Sequence, residues 1–228
     1  MLINSFDLLL NDPAAFVVQL LLLGVAFLAA LSIHEFGHAF IAYRLGDTTA
    51  QRMGRLTLNP RAHLDPTGTV MLLLAGFGWG KPVPVNPRNF RNGRPGMAMV
   101  AVAGPGFNVL LAILLALPFQ TGLIDSPFRT PILTEPDLAV WVSAILTYGV
   151  FINVILAVFN LLPFNPLDGS QILMGIAPRR WLPYVLRLQV YGPMLLVAVV
   201  MLDIFLSLGI IGRVIFPVVN WATTFLLG

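Results

Sequence analysis

The chain of 228 residues contains no cysteine, which excludes a disulfide framework, a thiolate metal site and a cysteine nucleophile. Charge is scarce as well. Asp, Glu, Lys and Arg together make up 10% of the residues, against roughly 25% in an ordinary soluble domain. The net charge is +3 and the isoelectric point about 9.8, yet the bases are spread thinly between apolar runs, so no nucleic-acid partner is expected. No internal repeat, low-complexity linker or Gly-rich phosphate loop is visible, and there is no room for an appended soluble domain. What remains is apolar: 57% of the residues are hydrophobic and the mean hydropathy is +0.86. A soluble fold of this size could not bury that much apolar surface. The expected fold is an all-α polytopic membrane protein, a single membrane-embedded domain over residues 1–228.

The apolar runs set the spans. A first runs from about Ala14 to Leu45, with Asp12-Pro13 as its helix start and no removable signal peptide before it. A weaker stretch, Thr67 to Phe77, is short for a crossing and reads as a re-entrant or broken element, a short tilted helix being the alternative. Further spans cover about Met97–Phe119 and Leu138–Leu162, and Leu182–Leu227 holds two helices with a break near Asp203 to Gly212. The total is about five or six membrane segments by the ~20-residue criterion. Arg44, Arg52, Arg55, Arg61, Lys81, Arg88, Arg91 and Arg94 crowd one connection, and Arg179, Arg180 and Arg187 another. Asp7 and Asp12 precede the first span, and Asp125, Glu135 and Asp137 outnumber Arg129 in the 120–137 loop. The basic regions should face the cytoplasm and the acidic ones the outside. The run Lys81-Pro82-Val83-Pro84-Val85-Asn86-Pro87 cannot be helical. It is either an interfacial loop or an edge strand suited to docking an extended substrate.

The chemistry lies in His34-Glu35-Phe36-Gly37-His38, an H-E-x-x-H inside a span with no other charge between Asp12 and Arg44. Histidines at i and i+4 share one helix face and can offer nitrogens to one metal. Glu35 beside them can take a proton from an attacking water. Burying these groups at membrane depth costs several kcal/mol, which marks a functional site rather than a helix-pairing network. A zinc held by two histidines needs a third protein ligand and an open position. His63 is one candidate. Asp168 is another, in Asn160-Leu161-Leu162-Pro163-Phe164-Asn165-Pro166-Leu167-Asp168-Gly169, where two prolines break the helix and can turn a carboxylate back into the bundle.

These two motifs, in this order, resemble those of the site-2 protease family of intramembrane zinc metalloproteases, in the compact form without a PDZ domain. The resemblance implies Zn2+ held by His34, His38 and Asp168, with Glu35 as general base. It implies a three-helix catalytic core and a transmembrane protein or peptide as substrate, cut within or near its transmembrane helix. It also makes residues 78–87 similar to a re-entrant segment. The protein is then expected in the lipid bilayer of a prokaryotic cell membrane, its active site toward the cytoplasm, with any regulatory membrane partner unspecified. Asn160 is expected to donate to the oxyanion of the reaction, the alternative being that it satisfies carbonyls freed by Pro163. His63-Leu64-Asp65 reads as an interfacial pair or cap, with a second metal or regulatory site as its rival. Gly104-Pro105-Gly106 allows close helix packing, Asn108 either packs there or faces the zinc cavity, and Asn153 bonds between helices. Trp79, Trp141, Trp181 and Trp221 read as interfacial belt residues. Two other functions use the same ligands, a metal-binding membrane transporter and a non-catalytic scaffold. A transporter should show repeated halves, and neither function needs Glu35.

Overall fold

The computed structural model describes residues 10–68, 79–125, 138–206 and 208–228. Nearly all of the expected partial span at 67–77 and most of the 120–137 loop, with Arg129, Glu135 and Asp137, lie outside them, as does Asp7. The described residues form helices α1 (Pro13–Arg44), α2 (Thr49–Arg52), α3 (Pro60–His63), α4 (Arg94–Gln120), α5 (Leu138–Asn160), α6 (Asp168–Ile176), α7 (Leu182–Leu206) and α8 (Ile210–Leu227). There is no strand among them, only an isolated bridge between Leu64 and Gly80. Four helices are long and apolar enough to cross a membrane, and α8 adds a shorter apolar one. This is the all-α architecture of an integral membrane protein.

Local chemistry sets the boundaries. Asp12 accepts from Ala15 N–H at 2.9 Å, and Pro13 occupies the first turn, where its missing N–H is harmless. At the other end of α1, Gly46 adopts φ 104°, a conformation that favours glycine, and the chain turns into Asp47. Helix α5 stops at Asn160, ahead of Pro163 and Pro166, and the turn that follows contains a cis Asn165–Pro166 bond. The break expected near 203–212 is present between α7 and α8.

Helix α4 is the central element, packing on α1, α5, α6 and α8. Its buried face is made of small residues, Ala98, Ala101, Ala103, Gly104, Ala112 and Ala116 among them. That permits close approach where large side chains would hold helices apart. A Cβ on Gly37 of α1 would lie 2.9 Å from Ala103 O. Ala112, Ala116, Val150, Val154, Ile215 and Val219 form an apolar core that joins α4, α5 and α8. Arg94 donates to Met174 O (2.6 Å) and Ala177 O (2.9 Å), satisfying carbonyls at the end of α6 and pinning that helix to α4. The outward faces carry large apolar side chains, such as Val190 and Met194 on α7, as expected of surfaces meeting lipid. All four tryptophans are exposed.

Candidate metal centre

His34 and His38 lie one turn apart on the buried half of α1, with their Nε2 atoms 3.1 Å apart. Asp168, the first residue of α6, brings Oδ2 to 3.1 Å from His34 Nε2 and 3.3 Å from His38 Nε2. The opposite ring nitrogens decide what these atoms are. His38 Nδ1 faces the carbonyl of Val100 at 2.8 Å, and His34 Nδ1 faces Asn108 Oδ1 at 2.6 Å. Both partners only accept, so Nδ1 carries the proton in each neutral imidazole and Nε2 presents a lone pair. Two lone pairs and a carboxylate oxygen thus converge in a buried place, which is the donor set of a divalent metal. A tetrahedral ion with bonds of ~2.0–2.1 Å has ligand–ligand edges of ~3.3 Å. The observed separations of 3.1–3.3 Å fit it.

Gly104 forms the back of this group. A Cβ there would collide with His38 Nε2 and lie 2.7 Å from His34 Cε1, so only glycine lets α4 pass behind the imidazoles. The front opens into a cavity of about 850 Å³ lined by His34, Glu35, His38, Asn160, Asp168 and Gln171, with apolar walls. Glu35 is buried there, and its Oε2 accepts from Val83 N–H at 3.2 Å.

The proline-rich run is non-helical, as its sequence requires, and Pro82, Val83 and Val85 line the same cavity. Its backbone is tied to the protein at several points. Lys81 N–H donates to His63 O at 2.7 Å, and the Arg55 guanidinium donates to Lys81 O and Pro82 O. Asn86 N–H donates to Asp47 Oδ2 at 2.7 Å, while Asn89 Nδ2 and Thr49 donate to Asp47 Oδ1. Burial of Asp47 disfavours its charge, but the hydrogen bonds from Thr49, Asn86 and Asn89 outweigh that and hold its carboxyl below the usual range.

Of the two candidate third ligands, Asp168 joins the histidine pair. His63 is fully buried and bound through Nε2 to Thr57 O at 2.8 Å, outside the metal-capable group. It is a packed residue at the end of α3, and Asp65 caps the next turn by accepting from Gly68 N–H. Asn160 lines the cavity, and its Nδ2 donates to Leu156 O at 2.9 Å. The carbonyl freed by Pro163 is that of Phe159, which accepts instead from Leu162 N–H at 3.2 Å. Asn108 packs behind His34, and Asn153 bonds between helices as expected. The role of Gly104 against the imidazoles was not apparent from packing alone. The spacing Gly104-x-x-x-Asn108, matching His34-x-x-x-His38 on the facing helix, was the available signal.

Three relatives carry provisional names as zinc metalloproteases. YwhC of Bacillus subtilis is 40% identical over 159 residues, 68% of this chain and 68% of its own length. Rip2 of Mycolicibacterium smegmatis is 35% identical over 162 residues, 69% of this chain and 58% of its own. Rip2 of Mycobacterium tuberculosis strain Erdman is 31% identical over 195 residues, 79% of this chain and 70% of its own. No solved structure matches the chain. The sequence model of peptidase family M50 matches residues 22–202, from the first span through α7, and the chain belongs to that family.

Proposed function

We propose that the protein is an intramembrane zinc endopeptidase that hydrolyses peptide bonds within or near the transmembrane helices of membrane-protein substrates. The observation that carries this reading is the convergence of His34 Nε2, His38 Nε2 and Asp168 Oδ2, with Glu35 in the same cavity. The zinc named in the relatives suits these donors. When bound there, zinc supplies Lewis-acid polarisation of the scissile carbonyl and acidifies water. Glu35 takes the proton of the attacking water and delivers it to the leaving amine. One of the two amide hydrogens of Asn160 is engaged by Leu156 O. The other is left to donate to the developing oxyanion.

A helical substrate must unwind before its carbonyls can be reached, and the extended run at 81–87 beside the cavity suits an unwound chain. Because Val83 N–H is bonded to Glu35, a substrate seated on this run competes for that bond. The charge pattern supports a cavity open toward the cytoplasm in a bacterial cell membrane. Glu35 in the cavity favours hydrolysis over metal carriage or a silent scaffold, neither of which uses a base.

The test is co-expression of candidate single-span proteins with the wild type and with Glu35→Gln, with metal content measured in parallel. Glu35→Gln is expected to keep zinc and lose cleavage. His34→Ala, His38→Ala and Asp168→Ala are each expected to lose zinc. Cleavage by Glu35→Gln at the wild-type rate overturns the assignment of the base.

A further inference from the structure

A chain of buried amides runs from α5 to the back of His34. Gly149 O can only accept, so Asn153 presents Nδ2 to it, at 2.8 Å. Asn153 Oδ1 is thereby turned toward Asn108 Nδ2, also at 2.8 Å. That nitrogen donates to Ala30 O at 2.9 Å as well, which leaves Asn108 Oδ1 for His34 Nδ1 at 2.6 Å. Asn108 and Asn153 are 0% and 1% exposed, so these bonds are closed off from bulk water. On its far side Asn153 borders a cavity of about 370 Å³ between α1 and α5, walled by aliphatic side chains such as Leu22, Ala26 and Ile145.

We propose that Asn153 is a positioning residue for the metal-binding form of His34. It acts through Asn108 and rests on the zinc-site reading above. The direction of the bonds is fixed at two main-chain carbonyls, Gly149 O through Asn153 and Ala30 O at Asn108, because neither can donate. If the Asn108 amide turned over, its oxygen would face two acceptors, Ala30 O and Asn153 Oδ1. His34 would then meet an N–H group and would have to protonate Nε2, the atom directed at Asp168 and His38. Ala30 O alone opposes that flip once Asn153 is removed, and in apolar surroundings the Asn108 hydrogen left without an acceptor is itself unfavourable.

The experiment uses the full chain in detergent and reads zinc affinity by chelator competition together with the tautomer of 15N-labelled histidine in the metal-free protein. With three histidines in the chain the spectra can be assigned by substitution. At a pH where the imidazoles are neutral, wild-type His34 is expected to be protonated at Nδ1. Asn153→Leu should weaken zinc binding about tenfold, the scale found when partners of metal-bound histidines are lost, and mix the tautomers. Asn153→Asp, which keeps an acceptor of the same reach toward Asn108 Nδ2, should behave like the wild type. Unchanged zinc affinity and tautomer in Asn153→Leu, an Asn153→Asp variant as weak as Asn153→Leu, or a wild-type His34 protonated at Nε2 overturns the proposal. Where Asn153→Leu fails to fold, the smaller Asn153→Ala takes its place with the same expected loss and the same overturning result. Absence of zinc binding in the wild type would strike at the metal reading instead, with the tautomer spectra still judging Asn153.

Discussion

At the scale of single residues, two signals in the sequence were strong for a physical reason. His34, Glu35 and His38 stand in a span otherwise free of charge, and Asp168 follows prolines that end a helix, so polar groups at those places had to serve something. The partners behind the metal group were not legible in the same way. Nothing in a one-dimensional pattern says that Asn108 lies opposite His34 rather than in the cavity, because that depends on how α4 is rotated against α1. Asn160 sits between these cases. Its amide is anchored to Leu156 O yet borders the cavity. If it donates to the oxyanion, Asn160→Ala should lower turnover by ~10²–10³ while zinc content and fold persist. Measuring kcat beside metal content separates this from a packing role, which would lower all three together.

At the scale of elements, the spans were legible because a run of apolar residues long enough to cross a bilayer has few alternatives. The ends of α1, α4 and α5 fall within a few residues of the expected boundaries. The proline-rich run was legible only as non-helical. What it bonds to was not, since its anchors come from distant parts of the chain. Asp47 is one of these, and Asp47→Ala leaves Asn86 N–H and Asn89 Nδ2 without their acceptor. The expected loss is about 1–3 kcal/mol in the local stability of the run. Hydrogen exchange at the Asn86 amide should report it. The carboxyl titrates lower in the folded chain than in the unfolded one. Its contribution is therefore complete above the ordinary carboxylate value of ~3.9 and disappears as the pH falls through the lower folded value. Protection of Asn86 should hold through mildly acidic pH and fail only below that range.

At the scale of the whole molecule, orientation is carried by where the charges lie rather than by any contact. Exposed Arg52, Arg61, Lys81, Arg88, Arg179 and Arg180 belong to the connections on one side, and Gln120 to Asp125 to the connection on the other. The absence of cysteine makes this directly measurable. A cysteine placed at Thr121 should react with an impermeant reagent added to intact cells, and one at Arg91 only after the membrane is opened; the reverse result inverts the topology. Gly104 bears on the molecule in one more way. Where α4 crosses behind the imidazoles, the wall is main chain and a single hydrogen, with no space for a side chain. A fourth protein donor, which would turn an open hydrolytic metal site into a closed structural one, therefore cannot be recruited from position 104. The remaining coordination position belongs to whatever fills the cavity, so redesign of this centre is confined to the side from which substrate arrives.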